Sequence, residues 1–94
     1  MKIYNPETSA SILNELKDWT YGDNSILKKI VFKNFSEAVS FIVQLGFIAE
    51  KLNHHPEIHN VYNIVQLKLT THDFNGVTEK DFELAKAIDN LLKK

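Results

Sequence analysis

The sequence predicts an α+β fold: an antiparallel β-sheet of three to four strands with three helices packed on one face, in the order α-β-β-α-β-α. Three observations predict it. Ile26 to Lys33 alternates behind the turn residues Gly22-Asp23-Asn24, the pattern of a hairpin with one apolar face. Ala38 to Leu52 carries apolar residues three and four apart, the spacing of a buried helix face. Val61 to Thr71 alternates again, and a second helical pattern with a capping residue starts at Thr78.

The elements follow in order. Residues 1–7 read as a short lead containing Pro6, after which Thr8 or Ser9 can cap a first helix. Ile12, Leu13 and Leu16 continue it at helical spacing, with Trp19 just beyond. Trp19-Thr20-Tyr21 favours an extended strand, and the turn leads into the alternating run. Ile26, Ile30 and Phe32 share one side of that strand, and Lys29 and Lys33 the other. Asn34 is the cap of the second helix, with Glu37 three residues on as in a capping box.

That helix is the central one. Ala38, Phe41, Ile42, Leu45, Ala49 and Leu52 form its stripe, widened by Val39, Val43 and Phe47. Gly46 costs roughly 1 kcal/mol against alanine in a helix interior and calls for a packing reason. Pro56 ends the helix and pushes His55 into extended geometry.

A short extra strand near Glu57–His59 would make the fourth. In the run from Val61 to Thr71, Val61, Val65, Leu67 and Leu69 share the core parity. Tyr62, Gln66, Lys68, Thr70 and His72 share the other, which places His72 at the strand end, off the core face. Asp73-Phe74-Asn75-Gly76 is a loop. Thr78 caps the last helix, with Asp81 three residues later in the favourable first turn. Val77 and Phe82 fit a hydrophobic staple, and Phe82, Ala85, Ile88 and Leu92 form the buried face. Lys93 and Lys94 suit the negative helix end.

The whole chain narrows the function classes. Residues 1–94 are expected to form one domain, and at 44% apolar residues an ordinary packed core is feasible. There is no cysteine, which excludes disulfides and thiolate metal sites. A net charge of −1 with scattered basic residues argues against a nucleic-acid partner. The N-terminal residues lack the apolar core of a signal peptide. The longest apolar stretch, Phe41 to Ala49, is interrupted by Gln44 and too short for a membrane span. The expectation is a soluble cytoplasmic protein.

Chemistry concentrates in two segments, Glu50-Lys51-Leu52-Asn53-His54-His55-Pro56-Glu57 and Thr70-Thr71-His72-Asp73. Together they hold three of the four histidines. The first closes the longest helical pattern and the second the strongest strand pattern, so their meeting would bring three imidazoles to one pocket. Histidine alone titrates near neutrality in its ordinary state, so such a group can both give and take protons. Glu50, one helical turn before His54, can orient an imidazole, as can Asp73 beside His72. His59 reads as an ordinary surface histidine. A zinc site is disfavoured because adjacent histidines rarely reach one ion, and no H-E-x-x-H or H-x-H pattern is present. No nucleophile elbow or glycine-rich phosphate loop occurs.

These residues carry a resemblance. Glu50, His54, His55 and Pro56, then Tyr62, His72 and Asp81, resemble the signature of the pterin-4a-carbinolamine dehydratases. The runs E-K-L-N-H-H-P-E-I-H-N-V-Y-N and L-T-T-H-D-F-N-G-V-T-E-K-D-F-E-L-A are similar to that family nearly throughout, as is the upstream I-V-F-K-N-F-S-E-A. The resemblance implies removal of water from a 4a-hydroxytetrahydropterin, left by aromatic amino acid hydroxylases, to give quinonoid dihydropterin. It implies no metal or organic cofactor. It implies that His54 and His72 form the acid–base pair and that His55 binds and orients the ring. Asn53 to His55 and Thr70, Thr71, His72 and Asp73 would line the pterin site, supported by Glu50. Asn53 stands where the family also has aspartate. Asp81 belongs to the signature and also fits a helix first turn. A homodimer or homotetramer is implied, formed by sheet edges and helix packing, as is a functional link to a hydroxylase. Some animal members also bind a transcription factor, so a protein-binding module, or a non-catalytic pterin-binding regulator, is the rival expectation.

Overall fold

A computed structural model describes residues 1–93, so the expected role of Lys94 lies outside the described residues. Helix α1 (Pro6–Glu15) leads into β1 (Thr20–Gly22) and β2 (Ser25–Val31), then the long α2 (Phe35–Leu52). Strands β3 (Glu57–Val61) and β4 (Ile64–Leu69), a 3-10 turn (His72–Phe74) and α3 (Glu79–Leu92) complete the chain. The strands form one antiparallel sheet in the order β1-β2-β4-β3. The architecture is the expected α+β sheet with three helices, and the short extra strand is real.

One face of the sheet makes the core. Ile26 pairs with Leu69 and Ile30 with Val65, and Leu67 lies between them. These side chains pack with Ala38, Phe41 and Leu45 of α2 and with Phe82, Leu84, Ala85 and Ile88 of α3. The opposite face carries Lys29, Val31 and Gln66, all exposed. The alternation works because successive side chains leave opposite faces of a strand.

Four sequence expectations need correction. Helix α1 starts earlier than Thr8 or Ser9. Asn5 is its N-cap, Pro6 opens it, and Thr8 completes a capping box with Asn5. Pro6 stands where the missing N–H is harmless.

The run from Val61 to Thr71 is not one strand. It is split by a two-residue turn at Tyr62-Asn63, so Val61 ends β3 and is 59% exposed rather than in the core. The alternation carried no turn signal because Tyr62 adopts φ 50°, a conformation that bulky residues rarely take. Side-chain hydrogen bonds hold the turn. Asn60 Nδ2 donates to the carbonyls of Tyr62 (3.1 Å) and Ile64 (2.9 Å), and Asn63 Nδ2 donates to Phe32 O (2.9 Å).

His72 is likewise not in a strand. It opens the 3-10 turn, and Thr71 and Gly76 close that loop by an isolated bridge.

Gly46 has no packing reason among the described residues, since an added Cβ would meet nothing within 4 Å. Gly76 does have one: a Cβ there would lie 2.8 Å from Ile3 Cγ2. It lets the N-terminal segment pass close enough for Tyr4 N to bond Val77 O at 2.8 Å.

Lys28 shares the parity of Ile26 and Ile30 and is buried on the core face. Its Nζ donates to Lys17 O (2.6 Å) and Asp89 Oδ1 (3.0 Å). Trp19 Nε1 donates to the same Asp89 oxygen at 2.9 Å, and Lys17 N reaches Asp89 Oδ2 at 3.2 Å. One ion pair thus ties β2, α3 and the segment between α1 and β1 together.

The candidate active site

The site begins where α2 ends. Asn53 is the C-cap, at φ 52° and ψ 42°, a left-handed conformation that asparagine tolerates better than most residues. Its N–H reaches Glu50 O at 3.2 Å, and His54 N reaches Ala49 O at 3.1 Å. The chain therefore turns out of the helix at Asn53 and projects His54 and His55 differently.

His54 turns inward. Its side chain is 11% exposed, and its Nε2 lies 2.5 Å from Oδ1 of the fully buried Asp81. The other oxygen of Asp81 accepts from Thr71 Oγ1 (2.9 Å) and from Thr78 N (2.9 Å). Thr71 and Thr78 hydroxyls lie 2.7 Å apart. Asp81 is the third residue of α3 and completes a capping box with Thr78. Its helix-start role and its site role are thus one arrangement, since a carboxylate in a first turn accepts the cap's amide.

His55 turns outward. Its Nε2 lies 2.6 Å from Glu50 Oε1, and both side chains are well exposed. Glu50 therefore orients His55, not His54 as its helical spacing suggested.

Thr70 and Thr71 lead from β4 into the turn. Thr70 Oγ1 donates to Asn24 O at 2.8 Å. Thr71 is buried, whereas His72 and Asp73 are exposed. His72 is thus the residue beside Thr71, whose hydroxyl shares Asp81 with His54. Hydrogen bonds tie His54 to Thr71 through Asp81, and His55 to Glu50, whereas His72 joins this group by its backbone position. His59 stands apart and exposed in β3, opposite Gln66.

Two concavities lie elsewhere. One of about 740 Å³ runs over the sheet and includes Leu27, Lys29, Glu57, His59 and Lys68. Another of about 720 Å³ includes Lys17, Lys28 and Asp89. Neither is lined by His54, His55 or His72. Among the described residues, no cluster of three histidine or acidic side chains is placed to hold a metal ion.

Sequence reasoning missed Thr71 and Thr78 as a buried hydrogen-bonding pair. The signal was present: polar residues at positions 71, 78 and 81 flank the apolar Leu69, Val77 and Phe82. Buried polar groups of that kind need partners.

Comparison with known proteins bears on this geometry. A family model described as pterin 4 alpha carbinolamine dehydratase matches residues 2–91. The chain belongs to that family. A Sulfolobus acidocaldarius protein provisionally named pterin-4-alpha-carbinolamine dehydratase is 47% identical over 79 residues. The match covers 84% of this chain and 87% of that one. A Rhizobium meliloti protein with the same provisional name is 49% identical, covering 85% of this chain and 79% of its own length. A crystal structure from Brucella melitensis, titled transcriptional coactivator/pterin dehydratase, superposes with a TM-score of 0.90 at 37% identity. It covers 96% of this chain and 98% of that chain. A pterin dehydratase-like RuBisCO assembly factor of the alpha-carboxysome shares the fold, with a TM-score of 0.68 at 20% identity over 80% of this chain and 89% of that one. In this dehydratase-family chain, no helix among the described residues is long and apolar enough to cross a membrane.

Proposed function

We propose that the protein dehydrates 4a-hydroxytetrahydrobiopterin by histidine general acid–base catalysis, recycling a pterin cofactor. The reaction has simple requirements. An acid gives a proton to the 4a-hydroxyl, the C4a–O bond breaks, and water leaves. A base takes the proton from N5 while the N5–C4a double bond forms, giving quinonoid dihydropterin. No oxidant is consumed, and the proton donor and acceptor are restored through water.

His54 and His72 serve as the acid–base pair, and His55 orients the ring with Glu50 behind it. Asn53, Thr70, Thr71 and Asp73 border the pterin. The observation that carries the reading is the hydrogen bond from His54 to buried Asp81, because it fixes one imidazole at the chain exit from α2. An imidazole held in one orientation is a far better proton shuttle than a freely rotating one. The substrate comes from an aromatic amino acid hydroxylase, in the cytoplasm.

The functional unit in this reading is a homodimer or homotetramer. Strand β3 is an edge of the sheet, with one side free of hydrogen-bonded neighbours. Phe35, Val39, Val43 and Phe47 lie four residues apart on α2 and are all exposed, Phe47 by 74%. The open space at Gly46 adds to this face a point of close approach.

A protein-binding role is the second reading, favoured by that same exposed stripe. The two readings separate in one assay. Freshly generated carbinolamine is mixed with the protein by stopped flow, and its loss is followed for wild type and His72→Ala. Acceleration by wild type that is lost in the variant supports the enzyme. Equal rates with and without protein would leave the binding role as the better reading.

A further inference from the structure

We infer that His54 carries its ring hydrogen on Nε2, and that Nδ1 is the nitrogen that exchanges protons with the substrate. The exchange rests on the dehydratase reading; the placement of the hydrogen does not.

The assignment follows from counting donors around Asp81. Thr71 Oγ1 and Thr78 N both point their hydrogens at Oδ2. Since the hydroxyl hydrogen of Thr71 is spent on Asp81, the 2.7 Å contact between the two threonines needs the hydrogen of Thr78. Thr78 Oγ1 in turn accepts from Lys80 N at 3.3 Å. The order is therefore forced, from Lys80 N to Thr78 to Thr71 to Asp81. Every bond in it delivers a hydrogen towards the carboxylate, and none takes one away.

An ionised carboxylate has no hydrogen to give, so Asp81 accepts at Oδ1 as it does at Oδ2. The hydrogen in the 2.5 Å contact between Asp81 Oδ1 and His54 Nε2 then belongs to the imidazole. In the neutral ring, one nitrogen donates and the other carries a lone pair. That lone pair sits on Nδ1.

Nδ1 is also placed to use it. Among the described residues it has no hydrogen-bond partner, and Ser9 Oγ is the sole sealed side-chain polar atom without one. Nδ1 of His54 is therefore not sealed from solvent, on a ring that is otherwise mostly buried. Thr71 and Thr78 are positioning residues: they hold Asp81, which holds the ring.

The same donors foretell what Asp81→Asn does. The asparagine oxygen must sit where Oδ2 sat, because Thr71 and Thr78 offer only hydrogens there. Its amide NH₂ is then turned to His54 Nε2 and drives the ring hydrogen to Nδ1. A nearly isosteric change would reverse the tautomer.

The test reads the ring nitrogens of His54 by two-bond proton–nitrogen correlation, at a pH where the ring is neutral. It is run on wild type and on Asp81→Asn, with dehydration measured alongside. Expected is Nε2–H in wild type and Nδ1–H in the variant, with kcat falling on the order of 10²- to 10⁴-fold and KM little changed. Nδ1–H in wild type would overturn the assignment, and needs no variant to fold. An unchanged kcat in a variant whose tautomer has reversed would overturn the role of Nδ1. Nε2–H in a wild type without any turnover would instead overturn the dehydratase reading and leave the hydrogen where it is assigned.

Discussion

His54 Nε2 and Asp81 Oδ1 lie 2.5 Å apart although 27 residues separate them in the chain. The contact joins the end of α2 to the start of α3. It makes a helix capping box the anchor of the His54 ring.

Removing the carboxylate should cost both stability and rate. Asp81→Ala strips the partner from His54, Thr71 and the amide of Thr78 at once. A stability loss of about 3 kcal/mol is expected, from a buried network of hydrogen bonds and a lost cap. Urea denaturation checks it. A change below about 0.5 kcal/mol would mean that the network does not hold α3.

Glu50→Gln tests the outer pair separately. Both partners are exposed, and exposed ion pairs contribute about 0.2–1 kcal/mol. Stability should therefore stay within about 0.5 kcal/mol of wild type. If His55 orients substrate, its partner's loss should weaken dehydration by up to about fivefold, mostly through KM. Calorimetry and steady-state kinetics read the two effects.

The largely buried pair of Lys28 and Asp89 belongs to the fold, not to the chemistry. Lys28→Ala leaves the mostly buried Asp89 without its ammonium partner, and about 2–3 kcal/mol of stability should be lost, somewhat below the cost for a fully buried pair. Replacing both partners, as in Lys28→Met with Asp89→Leu, should recover most of that loss. Chemical denaturation of the two variants decides it. Full stability of the single variant would show that Trp19 and Lys17 satisfy Asp89 alone.

The pH dependence of stability includes one surface contribution of known sign. Lys68 donates to Asp23 at 2.7 Å. That bond and the ammonium charge hold the Asp23 carboxyl below its ordinary 3.8, while the same bond raises Lys68 above 10.5. A lowered carboxyl contributes above its unfolded value, and the contribution fades as pH falls through the folded value. A raised ammonium contributes below its unfolded value and fades as pH rises through the folded one. The difference between wild type and Asp23→Asn should thus be flat at neutral pH and vanish at both extremes. Added salt should shrink it, because the pair is exposed. Melting curves across pH and ionic strength check both statements.

The exposed stripe on α2 gives a prediction about assembly. Phe47→Glu should shift the protein to a smaller oligomer in sedimentation, with the fold intact, because residue 47 packs little within its own chain. An unchanged sedimentation coefficient would contradict assembly through this stripe.

Much of the fold was legible because the patterns were local. Ile26 to Lys33 and the stripe from Ala38 to Leu52 each state their geometry through spacing alone, and Thr78 announces α3 by its cap. The turn at Tyr62-Asn63 was not legible, because it is held by Asn60 and Asn63 side chains reaching across strands. Nothing in V-Y-N-I marks a left-handed tyrosine. The start of α1 was missed because Thr8 serves Asn5 instead of capping by itself. In the candidate site, the three histidines stood out as titratable residues at element ends. Their partners did not, because Glu50 can reach either imidazole along a helix, and Asp81 looks sufficient as a helix-start residue. Only the exit geometry at Asn53 decides which imidazole each carboxylate meets.

The most direct measurement of the central claim is the rate of carbinolamine dehydration by His54→Ala against wild type at saturating pterin, with both shown folded by circular dichroism. A fall on the order of 10²- to 10⁴-fold is the expected result for a positioned acid–base group. A variant that dehydrates the pterin as fast as wild type would contradict it.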